Sequence, residues 1–351
     1  MDIDVLRSYL MEGQAIPALP LALDAYRKFS ERHERALARY YVAAGCGGLA
    51  VAVHSTQFEI REPQHGLFQP ILELAAETLD EEVAAARRPF AKIAGVCGRT
   101  PQAIAEAELA RSLGYDAALL SVAAWKEAPL AEILAHCASV ADVIPIIGFY
   151  LQPAVGGRVL PVEFWRGFAE IPNVVAIKIA PFNRFQTLDV VRAVAESGRD
   201  DIALYTGNDD NIVVDLLTNF AFECAGQKVE RQIVGGLLGH WGVWTHAAVA
   251  LLEEIKEARK NADFSAKWLS RAVAVTDMNA ALFDAANGFA GCIPGILEVL
   301  RRQGLVPTHL CLSPHEQLSE GQAAELDRVS TAYPDLIDDK FVAQNLAHWL
   351  R

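Results

Sequence analysis

The chain has no excess of positive charge, no long uninterrupted apolar run and no recurrent metal-ligand spacing, and each lack removes a class of function. Its 31 Lys and Arg stand against 44 Asp and Glu, a formal charge of −13 over 351 residues. Nucleic acid and anionic lipid both need a basic surface, so neither is an expected partner. No apolar segment approaches the ~20 residues that cross a bilayer, and the amino terminus, Met1-Asp2-Ile3-Asp4, is acidic; no membrane partner and a cytoplasmic location are expected. The six cysteines, at 46, 97, 137, 224, 292 and 311, include no Cys-x-x-Cys pair, so free thiols are expected rather than a disulfide framework. The histidines form neither His-x-His nor His-Glu-x-x-His, which argues against a metal enzyme. No Gly-x-Gly-x-x-Gly turn follows the first apolar run, which argues against a dinucleotide-binding sheet. Small molecules remain as partners.

What is present is a repeated alternation. Short apolar runs, rich in β-branched residues, occur near 15–19, 49–53, 90–96, 117–122, 144–150, 174–179, 202–206 and 232–237. Stretches with apolar residues three and four apart, such as 24–44, 101–113 and 184–196, lie between them, the pattern of parallel strands joined by crossover helices. Thr100-Pro101 reads as a cap followed by a first-turn proline. Eight such units over roughly 240 residues suit a closed (β/α)8 (TIM) barrel. Beyond about 245 the pattern is helical, at 247–260, 265–283, 294–303 and 316–329. The expected organisation is a barrel with an N-terminal lead-in over 1–260 and a C-terminal helical extension, packed on the barrel, over 261–351.

In such a barrel chemistry sits where the strands end. Lys178 lies within the run Val174-Val175-Ala176-Ile177-Lys178-Ile179-Ala180, and Tyr150 closes the preceding run, 28 residues earlier. One strand-helix-strand unit fills that gap, so lysine and phenol are expected to face each other across neighbouring strands ~4.8 Å apart. Alternation puts Val174, Ala176 and Lys178 on one face, where desolvation would favour a neutral, nucleophilic amine. An amine beside a phenolic proton shuttle is equipment for Schiff-base chemistry on a carbonyl. A lysine that snorkels from the barrel mouth, and a strand-end tyrosine with its hydroxyl in water, are the plainer readings of the same residues. After the second run, Ser55 and Thr56 offer hydroxyls and amides suited to a carboxylate, or a local turn. His54, Gln57, Asn208, Gly239 and Trp241, also at strand ends, are the remaining substrate-binding candidates.

These residues resemble the dihydrodipicolinate synthase / N-acetylneuraminate lyase family over about 16–304. The anchors are Ile177-Lys178-Ile179 for the lysine strand, Tyr150-Leu151-Gln152-Pro153 for the family's Tyr-Asn-x-Pro, and Ser55-Thr56 for its paired hydroxyls. Thr206-Gly207-Asn208-Asp209 and Ile293-Pro294-Gly295 are weaker echoes. The resemblance implies a class I lyase or aldolase. A 2-oxo acid, often pyruvate, condenses with Lys178, Tyr150 relays protons, and Ser55 and Thr56 bind the carboxylate, with neither metal nor organic cofactor. It also implies a homo-oligomer, a dimer or tetramer. Departures are plain. His54-Ser55-Thr56-Gln57 stands where the family has Gly-Thr-Thr-Gly, and Ala123-Ala124-Trp125 stands where the synthases have Pro-Tyr-Tyr. Val155 replaces the arginine that holds the synthases' aldehyde substrate, with Arg158 in a different register. Lysine biosynthesis is therefore not expected. A Schiff-base dehydratase of a sugar-derived 2-oxo acid and a non-catalytic small-molecule-binding homologue are the rival readings.

Overall fold

A computed structural model describes residues 1–262 and 264–351. The strands are β1 (Ala15–Pro17), β2 (Gly48–Val51), β3 (Ala91–Val96), β4 (Ala117–Leu120), β5 (Ile146–Leu151), β6 (Val174–Ala180), β7 (Ala203–Thr206), β8 (Asn219–Cys224) and β9 (Gln227–Leu238). Setting β8 aside, eight parallel strands alternate with helices, which is the (β/α)8 barrel fold, and further helices follow at the C-terminal end. Residues group into two compact units: Met1–Gln14 with Ala91–Leu237, and Ala15–Phe90 with Leu238–Arg351.

In the first unit β3, β4, β5, β6, β7 and β9 form a parallel ladder in that order. All seven residues of β6 and all six of β5 are buried, as strands covered on both faces must be. One element was not foreseen. The run at 232–237 is the inner half of a longer strand, β9, whose outer half folds back on β8 in an antiparallel ribbon from Asn219↔Gln232 to Cys224↔Gln227. Most of that ribbon's residues are exposed or half-buried, so it needs no continuous apolar run to mark it. The helix Thr100–Ser112 carries its proline in the first turn, but Arg99 occupies the cap. The Thr100 hydroxyl instead bonds His136 Nδ1 at 3.0 Å.

In the second unit β1 and β2 lie side by side, joined by a parallel bridge between Ala18 and Ala50 and by the Leu19 N–H to the Ala50 carbonyl at 2.8 Å. The extension beyond 260 belongs to this unit. Its last helix, Asp339–Trp349, packs on the helix Glu31–Ala44. Tyr40 donates to Asp338 Oδ2 at 2.7 Å, and Arg39 donates to the Trp349 carbonyl at 2.8 Å. Among the described residues no helix is long and apolar enough to cross a membrane.

Candidate active site

Lys178 is buried, 9% exposed, near the C-terminal end of β6. The ladder sets Ala176 opposite Ile147 and Ala203, and Lys178 opposite Phe149 and Tyr205. Facing directions follow from Gly148, between Ile147 and Phe149. A Cβ built there would lie 2.7 Å from Phe168 Cε1, so Gly148 faces the helix Val162–Ala169. Side chains alternate across a strand, and Phe149 and Lys178 therefore share the face turned away from that helix. The Lys178 Nζ sits 4.4 Å from the centre of the Phe149 ring. Just after β7, Gly207 gives the lysine stem its room, since a Cβ there would stand 2.7 Å from Ala180 Cβ, 2.8 Å from Lys178 Cε and 3.1 Å from Lys178 Cγ.

Tyr150 is not the residue opposite the lysine on the neighbouring strand, which corrects the expected register. It stands opposite Ile179, on the helix side of β5. Its ring centre is 5.2 Å from that of Trp165, and its hydroxyl oxygen accepts the Leu160 N–H at 3.2 Å. Burial raises the phenol above its ordinary pKa, against the smaller opposing pull of the Leu160 amide. The cause of the misplacement is one irregularity in β6. Ile146 pairs with Val174, 28 residues on, but Ile147 pairs with Ala176, 29 on, so Val175 is skipped. A one-residue slip of this kind turns each later side chain to the other face relative to its neighbour strand. Tyr205, which does stand opposite Lys178, spends its hydroxyl elsewhere. It donates to the Leu10 carbonyl at 2.8 Å and accepts the Gln14 N–H at 3.0 Å.

Asn208 is buried, its amide nitrogen donating to Thr187 Oγ1 and Asp215 Oδ2 at 3.2 and 2.9 Å, its oxygen accepting the Phe182 N–H at 3.0 Å. Arg158 donates through one terminal nitrogen to the carbonyls of Trp125 and Ala128, at 2.6 and 3.1 Å, tying the loop after β5 to the loop after β4. The Arg99 Cζ lies over the Trp125 ring, 4.4 Å from its centre, and the His136 ring, tilted by 35°, has its centre 4.8 Å from that of Trp125.

In the second unit, His54, Ser55 and Thr56 form one short 3-10 turn after β2. The Thr56 hydroxyl donates to the Leu19 carbonyl at 2.6 Å and accepts the Val53 N–H at 3.2 Å. Ser55 Oγ reaches the same carbonyl only at 3.4 Å. The His54 ring lies 6.1 Å from that of Phe58. Gln57 keeps the left-handed backbone that glycine favours, with φ +68. Its side-chain oxygen accepts the Leu312 N–H at 2.6 Å, while its buried Nε2 has no hydrogen-bond partner among the described residues. Gly239 has φ −65, a conformation any residue adopts. Trp241 is buried with its indole N–H unpartnered among the described residues. Beside it, burial lowers the His240 pKa to about 4, although Nδ1 bonds Asn279 Oδ1 at 2.6 Å. Among the described residues no group of three or more His, Cys, Asp or Glu side chains could hold a metal ion.

Sequence reasoning passed over Phe149 and Asp215. Phe149 precedes the tyrosine that the motif singles out. Asp215 lies in the short helix Ile212–Leu217, inside an apolar stretch where only folding reveals its partners.

The sequence profile of the dihydrodipicolinate synthetase family matches residues 12–332. The 4-hydroxy-tetrahydrodipicolinate synthase of Cyanothece sp. is 32% identical over 121 residues, 34% of this chain and 39% of the relative. That of Alkaliphilus oremlandii is 26% identical over 151 residues, 40% of this chain and 50% of the relative. The chain thus spans two fifths to half the length of these curated relatives. In structure it is similar to YagE, a prophage protein of E. coli K12 solved in complex with pyruvate, with 18% identity and a TM-score of 0.72 over 92% of this chain and 98% of the other. It is also similar to the N-acetylneuraminate lyase of Fusobacterium nucleatum, with 14% identity and a TM-score of 0.70 over 92% and 99%. At these identities the likeness shows the fold.

Proposed function

Since the chain belongs to the dihydrodipicolinate synthetase family, we propose that it is a class I lyase in which Lys178 forms an imine with a 2-oxo acid such as pyruvate. The neutral amine adds to the carbonyl carbon, water leaves, and the iminium takes up, as an enamine, the electron pair of a neighbouring carbon-carbon bond, whose other carbon departs as a carbonyl fragment with its hydroxyl proton passing to water, or of a carbon-hydrogen bond, whose proton passes to water. The observation that carries the reading is the buried lysine itself, seated near the end of β6 against Phe149 and Gly207. The pyruvate held by YagE supports a small 2-oxo acid as substrate. Release of a carbon fragment, rather than of water alone, distinguishes the lyase from a dehydratase using the same imine. A homo-oligomer, dimer or tetramer, is part of the proposal.

Tyr150, with its hydroxyl on the Leu160 amide, is assigned a packing role and not the proton relay. That assignment, together with a ring face that favours the charged ammonium, lends weight to the second reading, a homologue that binds without turning over. The test is intact-protein mass spectrometry after pyruvate and borohydride. We expect a reduced adduct that maps to Lys178 and disappears in Lys178→Ala. Tyr150→Phe should keep the trapping rate within about threefold, whereas loss of a general acid-base typically costs ~100-fold or more. Absence of an adduct with pyruvate and with longer 2-oxo acids would move the assignment to the binding homologue.

A further inference from the structure

One carboxylate beside the lysine strand gathers more partners than packing requires. Asp215 is 1% exposed. Its Oδ2 accepts from Thr206 Oγ1 at 2.8 Å and from Asn208 Nδ2 at 2.9 Å, and its Oδ1 accepts from Asn211 Nδ2 at 3.0 Å and from the Arg184 guanidinium. Thr206 and Asn208 are the two neighbours of Gly207, so a single buried anion fixes the chain on both sides of that glycine. The Asn208 N–H returns to Thr206 Oγ1 at 3.1 Å, and the Gly207 N–H donates to the Ile179 carbonyl at 2.7 Å. Across the same network, Asn208 holds Thr187 Oγ1 and the Phe182 amide, which belong to the segment that follows β6. The loop after β6 and the end of β7 are therefore tied to one acid, and the glycine between its two ligands is the surface against which the Lys178 stem rests.

We infer that Asp215 is a positioning residue for Lys178, acting through Gly207. The inference rests on the Schiff-base reading for its effect on rate, but not for the geometry. Charge-assisted hydrogen bonds to a buried carboxylate are strong and directional. Asn in place of Asp would turn one NH2 group towards donors it cannot accept from, and so release one side of Gly207. A carbon at Gly207 would press on Ala180 Cβ and on the lysine stem directly and leave the carboxylate intact. The two substitutions reach the same lysine by different routes.

The experiment compares wild type with Asp215→Asn, Gly207→Ala and Thr206→Val in the full chain. Two rates are read: borohydride trapping at saturating pyruvate, and competitive acetylation of Lys178 by acetic anhydride relative to the other lysines. In Asp215→Asn and Gly207→Ala, trapping should slow at least tenfold with the half-saturating pyruvate concentration within about twofold of wild type. The acetylation ratio of Lys178 should change at least threefold in both. Thr206→Val, which removes one ligand, should fall between them and wild type. A well-folded Asp215→Asn with both rates within twofold of wild type overturns the inference. If that variant does not fold, unchanged rates in both Thr206→Val and Gly207→Ala overturn it equally. If wild type forms no adduct, the Schiff-base reading fails, and the acetylation ratios still decide whether Asp215 positions Lys178.

Discussion

Glu34 is fully buried in the helix Glu31–Ala44, with Oε2 accepting the Ala22 N–H at 2.8 Å and Oε1 lacking a hydrogen-bond partner among the described residues. Burial raises its pKa from the ordinary 4.5 to about 8, against the weaker opposing effect of the Ala22 amide. The folded state therefore holds this proton more tightly than the unfolded chain does. Its contribution to stability is complete below about pH 4.5, declines as pH rises, and is gone above about pH 8. At about 1.4 kcal/mol per pKa unit the loss is on the order of a few kcal/mol. Glu34→Gln keeps the acceptor for Ala22 and removes the charge. Thermal melts should show the variant above wild type at pH 9 and level with it near pH 5; an equal gap at both pH values would refute the assignment. The sequence gives no sign of this, because a glutamate in the first turn of a helix is ordinarily a solvated partner of the helix dipole.

At the scale of elements, the exchange between β5 and the helix Val162–Ala169 turns on Gly148. A methyl group there would meet Phe168 Cε1 and Cζ at 2.7 and 2.9 Å, and Trp165 Cζ3 at 3.4 Å. These are ring atoms locked in an aromatic cluster with Phe164, whose ring centres lie 5.0 to 5.8 Å apart. Gly148→Ala should therefore cost roughly 1–3 kcal/mol in denaturant unfolding, the range for overpacking a filled core. A variant as stable as wild type would show that the helix moves freely from the strand. Strand positions were legible because buried parallel strands need continuous apolar residues. The runs at 144–150 and 174–179 fall on β5 and β6 to within two residues at each end. The irregularity at Val175 was not legible, since a skipped valine among valine, alanine and isoleucine leaves no compositional mark.

At the scale of the molecule, the charge of −13 sets how association must be measured. Like-charged protomers repel at low ionic strength, and about 0.15 M salt shortens that repulsion to roughly 8 Å. Under those conditions sedimentation equilibrium should give two or four times the 38.2 kDa of one chain; a single species at the mass of one chain across micromolar concentrations would remove the oligomer from the proposal. The sequence by itself determined the alternation of strand and helix, the helical C-terminal extension, and a lysine within a buried strand, because hydrophobic period and β-branched composition are local properties written along the chain. Motif spacing also carried the family resemblance. Only the tertiary structure decided which side chains meet. It put Phe149 in place of Tyr150 opposite Lys178, turned Gln57 onto Leu312, and drew Thr206 and Asn208 to one carboxylate on either side of Gly207. The physical reason is register: facing reverses with each residue along a strand, so one skipped position, fixed by packing between distant segments, reassigns every partner beyond it.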